Sequence, residues 1–226
     1  MDITDLKVVI CVLTYNRREL FQRTVNSLLG AQYPFIPVVV DNGSTDGTAE
    51  MVKNLHGTIN GSGNHTTGRG MNIAIEEAMK HRPDLILFSA DDFHYRKGFL
   101  KRLVSFWTSA PQDVIMTSCY LEPAWEWNKI ITTDTAGEQR YAIRTSLPGS
   151  NWSFWANNVN KIFPVSEKTG GEDLEICGRL RQQRYRLAAL DLVKHIGEEQ
   201  SAWGNQSWRY AQPLNLDELG FEQWMP

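Results

Sequence analysis

The chain has 226 residues, 42% of them hydrophobic, enough for one substantial buried core in one or two domains. Its 23 basic and 26 acidic side chains leave a formal net charge of −3, so no broad electropositive field exists to hold nucleic acid non-specifically. No apolar run reaches bilayer-spanning length, no export signal precedes the first one, and the cysteines, Cys11, Cys119 and Cys177, do not pair evenly; a cytoplasmic protein with buried free thiols is expected.

Residues 8–13, Val-Val-Ile-Cys-Val-Leu, read as a fully buried strand. Residues 17–29 carry Leu20, Phe21, Val25, Leu28 and Leu29 at helical spacing, and Gly30 ends the helix. A second buried strand covers 36–40, and a short helix covers 46–55 with Ser44 or Thr45 as its cap. A Gly/Asn/Thr-rich loop at 57–68 leads into a helix at 71–79, and residues 85–88 form another short strand. This β-α-β-α order with continuously apolar strands predicts a parallel sheet covered on both faces. Ligands of such sheets sit at the carboxyl ends of the strands.

The second half is more mixed. A helix is expected at 99–107, a strand at 114–119, and a hairpin from 129–133 and 140–145 that turns near Thr135-Ala136-Gly137. Residues 171–185 read as an amphipathic helix with Leu174, Ile176, Cys177 and Leu180 on its apolar side, followed by a strand at 186–190. From His195 the chain is polar and aromatic without a clear period. No repeat or low-complexity linker divides it, so residues 1–226 are expected to form one unit.

The chemistry-bearing residues cluster where strands end and helices begin. Ser89-Ala90-Asp91-Asp92 follows the apolar run Leu85-Ile86-Leu87-Phe88, and Gly170-Gly171-Glu172-Asp173 opens a helix. One such carboxylate can hold a divalent cation against a diphosphate, and another can take a proton from an acceptor hydroxyl. In Thr14-Tyr15-Asn16-Arg17, a loop feeding a helix, backbone N–H groups and Arg17 either meet an anion or base or simply cap the helix. Asp41 stands where the second strand leaves the sheet and can accept hydrogen bonds from a nucleobase or ribose. Ser44 and Asp46 nearby read as turn and cap residues. An acidic first turn at Glu172-Asp173-Leu174-Glu175 also stabilises its own helix dipole. Trp152, Phe154 and Trp155 read either as core or as an acceptor wall on which a sugar or base stacks.

In order and spacing, Thr14-Tyr15-Asn16-Arg17, Val40-Asp41-Asn42-Gly43-Ser44-Thr45-Asp46-Gly47-Thr48, Gly68-Arg69-Gly70-Met71-Asn72, Ser89-Ala90-Asp91-Asp92 and Gly171-Glu172-Asp173-Leu174-Glu175 resemble the segments of a family 2 glycosyltransferase with the GT-A fold. The resemblance runs from Lys7 to about Leu190. It implies that Asp41 contacts the base of a nucleotide sugar, with Thr14 and Asn16 near the nucleoside. Arg17 joins that nucleotide-binding set, and Arg69 and Asn72 lie near the ribose or diphosphate. Asp91 would ligate Mn²⁺ or Mg²⁺, and Asp173 would be the general base. Ser89 departs from the family, which often has an aspartate there; Asp91 then carries the metal almost alone, or Asp92 helps, or the metal is bound weakly. Asp92 reads equally as a capping residue, and His195 is either a further metal ligand or a packing residue.

The resulting expectation is an α/β protein with the Rossmann-like GT-A architecture, a mixed, mostly parallel sheet flanked by helices. Residues 1–95 would form the nucleotide-sugar half, 96–194 the acceptor half, and 195–226 a tail or lid. The activity expected is metal-dependent hexosyl transfer from a nucleotide sugar, UDP-sugar favoured, with inversion. The acceptor is a glycan, a lipid-linked sugar, a protein side chain or a modified DNA base. The DNA option needs a basic stripe at Arg179, Arg181, Arg184 and Arg186. An inactive nucleotide-sugar-binding module, suggested by Ser89, is the other alternative. A nucleotidyltransferase is disfavoured, because the loop after the first strand lacks glycines.

Overall fold

The computed structural model describes residues 5–121, 129–147, 151–168, 170–197 and Phe221. The expected lid with Trp203, Trp208 and Trp224 lies outside these residues. The first half follows the sequence closely: β1 (Val8–Thr14), α1 (Arg18–Leu28), β2 (Ile36–Asp41), α2 (Thr48–Asn54), β3 (Thr58–Ile59), α3 (Thr67–Lys80) and β4 (Leu85–Ala90). Continuous apolar strands are what a sheet covered on both faces requires. Alternate residues of β1 serve different cores: Val8, Ile10 and Val12 pack with Phe21, Leu28, Val52 and Phe99, whereas Val9, Cys11 and Leu13 pack with Met71, Ala74 and Ile75.

The second half continues with β5 (Phe93–Tyr95), α4 (Phe99–Ser109), β6 (Val114–Ser118), β7 (Ile130–Ala136), β8 (Gln139–Arg144), β9 (Asn151–Trp155), a 3-10 turn, α5 (Val159–Ile162), α6 (Glu172–Gln182), β10 (Arg186–Ala189) and β11 (Val193–His195). One sheet of nine strands, ordered β3-β2-β1-β4-β9-β6-β10-β8-β7, runs through both halves. β9 is antiparallel to both β4 and β6, and β8 is antiparallel to both β10 and β7. The remaining strands therefore share one direction. The hairpin of β7 and β8 turns at Gly137, whose φ of +58° suits a residue without Cβ.

One open alternative is decided and two local expectations are corrected. β9 is a central strand: Trp152 and Phe154 are fully buried, Trp152 near Phe88 and Phe154 near Phe163, so they are core rather than acceptor wall. Burial on both faces leaves such a strand without the alternation that would have marked it. The N-cap of α2 is Gly47 rather than Ser44 or Thr45, and just before it Asp46 Oδ1 accepts from the N–H and hydroxyl of Thr48. Leu174 is 56% exposed, so α6 buries Ile176, Cys177 and Leu180 without it. The three cysteines are buried and free, as expected.

Helix direction fixes where the chemistry can gather. α3 precedes β4 and α6 precedes β10, each through a short link, so both helices run back against their strands. Their N-termini therefore stand at the carboxyl edge of the sheet, beside the ends of β1, β2 and β4. α3 and α6 also share one face, since Met71, Ala74 and Ile75 join Ile176, Cys177 and Leu180 in one core. No helix of the described residues is long and apolar enough to cross a membrane.

Candidate active site

At the end of β2, Asp41 is completely buried. Its Oδ2 accepts from the N–H groups of Gly43 (3.0 Å) and Ser44 (2.9 Å), which curls the loop into a turn around the carboxylate. Its Oδ1 is buried with no hydrogen-bond partner. A buried carboxylate oxygen left unmatched is costly, so it marks a place for a donor from outside the chain. Gly43, at φ +92°, has no room for a Cβ because the ring of His65 lies against it. The loop is pinned from both sides. Asn16, itself at φ +50°, accepts through Oδ1 from the Thr45 N–H (2.7 Å), and its own N–H donates to the Ser44 hydroxyl (2.8 Å). Asn42 donates to the carbonyls of His65 and Thr66, tying the start of α3 to the end of β2.

Two strands over, Asp91 directly follows β4 and is 2% exposed. Thr14, at the end of the neighbouring β1, donates its hydroxyl to Asp91 Oδ2 at 2.6 Å, and the Tyr15 N–H reaches the same oxygen at 3.3 Å. Arg17 spans both acidic residues: one guanidinium nitrogen lies 3.2 Å from Asp91 Oδ1 and 2.6 Å from Asp92 Oδ2. β11 pairs with β5, setting His195 opposite Phe93, and His195 Nε2 stands 3.2 Å from Asp92 Oδ2. Burial pushes the Asp91 carboxyl up to about 6, and the charge of Asp92 adds to this while Arg17 and Thr14 oppose it. Burial acts the same way on Asp92, but His195 and Arg17 outweigh it and hold that carboxyl below its ordinary value. Asp91 faces Thr14, Tyr15 and Arg17, while His195 reaches Asp92 and packs its ring against Phe93 and Tyr120, so His195 has both the packing contacts and the neighbouring carboxylate that its two expected roles call for. Among the described residues no three carboxylate, imidazole or thiol side chains converge as a ready metal site.

Ser89, in place of the expected family aspartate, is fully buried; its hydroxyl bonds to the Ala90 carbonyl and lies 3.4 Å from the Asn151 amide nitrogen, which also donates to Tyr95. It belongs to the packing between β4 and β9 rather than to the cleft.

On the α3 side, Arg69 pairs with Glu167 at 3.0 Å in a partly exposed position. Asn72 is buried, and its amide forms a two-way bridge to the backbone of Val165, at 2.9 and 3.0 Å. This corrects its expected contact with ribose or diphosphate: the side chain clamps the segment that leads to α6 onto α3. A Cβ at Gly68 would run into the Ser166 carbonyl, so glycine is what allows that segment to lie so close. The clamp carries the chain from the N-terminus of α3 to that of α6. There Asp173 is half-buried with Oδ1 accepting from the Leu174 N–H (2.8 Å), and Glu172 is buried with an oxygen on the Gly170 N–H (3.0 Å). Thr14, Asn16, Arg17, Asp41, Arg69, Asp91 and Asp92 thus share one sheet edge, with Asp173 at the same edge on the α6 side.

The sequence reading passed over two residues. Tyr15 is 49% exposed beside Asp91, inside the motif already singled out. His65 covers Gly43, and only its place in a polar loop hinted at it. Of the arginines of and after α6, Arg179 donates to the Ile162 carbonyl, Arg181 to that of Thr145 at 2.7 Å, and Arg186 forks onto Asp113 at 2.5 and 2.6 Å, while Arg181 and Arg184 are exposed.

The family model described as "Glycosyl transferase family 2" matches residues 9–152. No curated protein matches the chain by sequence. Solved structures of similar fold include TarS 1–349 of S. aureus, at 18% identity and a TM-score of 0.63 over 86% of this chain. GalNAc-T7 with UDP, GalNAc and Mn²⁺ is similar at 13% identity and a TM-score of 0.64 over 83% of the chain. The mannosyltransferase PcManGT of Pyrobaculum calidifontis, in complex with GDP-Man and Mn²⁺, is similar at 19% identity and a TM-score of 0.62 over 90%. The chain spans 61%, 43% and 60% of those three chains, respectively. With its nine-stranded mixed sheet and helices on both faces, the chain has the GT-A fold and belongs to glycosyl transferase family 2.

Proposed function

We propose that this chain transfers a sugar from a nucleotide sugar, with UDP-sugar favoured as donor, to an acceptor hydroxyl, with inversion at the anomeric carbon. The observation that carries the reading is Asp41: a fully buried carboxylate at the sheet's carboxyl edge with one oxygen lacking a partner. Uracil offers a single imide N–H, which one acceptor oxygen satisfies. Guanine offers an N–H and an amino group side by side and would call for both carboxylate oxygens, of which Oδ2 already serves Gly43 and Ser44. Tyr15, exposed on the same edge, supplies an aromatic face for the nucleoside. Asn16 holds the two loops around it in place.

The carboxylate oxygens of Asp91 and Asp92, with the imidazole of His195 beside them, are in kind the donors a hard divalent cation takes. Asp91 would hold Mn²⁺ or Mg²⁺, with Asp92 and His195 adjoining. Mn²⁺ in the GalNAc-T7 and PcManGT structures supports this reading. Such a cation neutralises charge on the departing diphosphate. The chain's own residues do the rest. Thr14 and the Tyr15 N–H fix the Asp91 carboxylate, Arg69 at the head of α3 stands ready for phosphate oxygens, and Asp173 takes the proton of the acceptor hydroxyl as it attacks. A single base and no covalent intermediate give inversion. The acceptor is a glycan, a lipid-linked sugar, a protein side chain or a modified DNA base; the pairing of Arg186 with Asp113 takes one arginine out of the basic stripe that the last would need. Buried free thiols agree with a cytoplasmic setting.

The test is calorimetric titration with UDP, GDP and a panel of UDP-sugars in the presence of Mn²⁺, followed by assay of sugar release. Tighter binding of UDP than of GDP, with turnover of at least one UDP-sugar, is expected. Absence of any nucleotide binding would overturn the reading.

A further inference from the structure

Arg17 holds the position a cation would take between the two strand-end carboxylates. Its guanidinium nitrogen lies within hydrogen-bond reach of Asp91 Oδ1 and Asp92 Oδ2 at once, and the side chain is only 19% exposed. The three residues come from loops more than 70 positions apart in sequence, so this pairing is built by the fold rather than by local chain geometry. Two adjacent buried carboxylates without a counter-charge would repel each other strongly in a poorly solvated site.

We infer that Arg17 is a resident counter-ion that occupies the metal seat until the donor arrives, so divalent cation and diphosphate must enter together and displace it. This rests on Asp91 being the cation's holder, as proposed above. A lone Mn²⁺ meets two carboxylates of which one charge is already matched, and Coulomb repulsion from the guanidinium opposes it. A cation arriving with a diphosphate brings two further negative charges. Those charges offer Arg17 a new bidentate partner at the same sheet edge, which is the geometry guanidinium groups favour with phosphate oxygens. Metal and nucleotide are thereby coupled through one side chain, and the coupling is reciprocal. It also disfavours idle metal binding when no donor is present.

The experiment measures Mn²⁺ binding by electron paramagnetic resonance, without nucleotide and with saturating UDP, in the wild type, Arg17→Gln, Arg17→Lys and Asp91→Asn. In the wild type UDP should strengthen Mn²⁺ binding by about tenfold or more, within the usual range of such couplings. Arg17→Gln should bind Mn²⁺ alone by about tenfold more tightly than the wild type and lose most of the strengthening by UDP. Arg17→Lys, which keeps the charge, should stay near the wild type. Should Arg17→Gln fold poorly, added Mn²⁺ should raise its melting temperature more than that of the wild type, because the cation replaces the missing charge. Equal Mn²⁺ affinity in wild type and Arg17→Gln, with binding still lost in Asp91→Asn, would overturn the role of Arg17 and leave Asp91 as the metal holder. No Mn²⁺ binding by any variant, with or without UDP, would overturn both.

Discussion

On the donor side, Asp41 and Asp91 are 0% and 2% exposed, and Asp91 is held by Thr14 and Arg17 from 77 and 74 positions away in sequence. On the acceptor side, Asp173 is half-buried, and its Oδ1 bond goes to the next residue along the chain. The first region is cross-linked by the fold before any ligand arrives, at the cost of burying like charges together. The second is the acidic first turn of a helix, an arrangement many helices share. On the reading proposed above, a pre-formed nucleotide edge suits an enzyme that keeps one nucleotide chemistry and varies its acceptor.

The largest effect should come from the less constrained side. Asp173→Asn removes the proposed base while leaving its hydrogen bond to the Leu174 N–H available through the amide oxygen. Turnover should fall by on the order of 10²–10⁴-fold with UDP affinity unchanged. Retained turnover would move the base elsewhere and leave α6 with only a helix-terminal role. Next in size is Phe154→Ala on β9, which should cost about 3–5 kcal/mol in urea unfolding, as for other large-to-small changes at a fully buried aromatic. A loss under 1 kcal/mol would return β9 to the acceptor wall.

How far the sequence could be read follows the same line. The first half was legible because β1, β2 and β4 carry long apolar runs and the chain leaves the sheet soon after each: Thr14, Asp41 and Asp91 stand at those exits, although Ser89, which directly follows Leu85–Phe88, is buried within β4. Asn72 was misassigned because sequence order shows that it begins a helix but not that the backbone of Val165 returns to meet it 93 positions later. Trp152 and Phe154 stood between core and wall because aromatic residues serve cores and ligands alike. Their insertion between β4 and β6 is a long-range pairing with no local mark. The pairing of β5 with β11, which delivers His195 to Asp92, was invisible for the same reason.

The buried aspartates of the donor side also give that side a pH signature. Asp91 is raised in the fold from 3.8 to about 6. Its contribution to stability is therefore full below about pH 4 and is lost as pH rises through about 6. In chelator-containing buffer, Asp91→Asn should then be more stable than the wild type at pH 7 by on the order of 3 kcal/mol, with the gap closing near pH 4. Asp92 has the opposite sign. Its lowered carboxyl contributes stability above its ordinary value and loses it as pH falls, so Asp92→Asn should be the less stable protein at pH 7. Thermal melts of the three proteins at both pH values check this. Parallel curves for wild type and Asp91→Asn would mean that Arg17 and Thr14 fully offset the burial of Asp91.

Asp41→Asn should have the smallest effect and is the most specific probe of the donor side. The amide oxygen can replace Oδ2 and keep accepting from Gly43 and Ser44, so the turn should survive. The amide nitrogen then stands where Oδ1 was, presenting a donor to the imide N–H of uracil instead of an acceptor. Loss of a hydrogen bond to a charged acceptor is worth about 1.5–3 kcal/mol, so UDP affinity should fall by about 10–100-fold. Inosine diphosphate, whose base also presents a ring N–H, should fall with it, whereas cytidine diphosphate, which offers an unprotonated N3 acceptor at that position, should gain relative to UDP. A uniform loss across all three nucleotides would mean that Asp41 shapes the loop rather than reads the base. The pre-formed donor side would then owe its selectivity to Tyr15 and His65, and calorimetry with Tyr15→Ala and His65→Ala would separate those two.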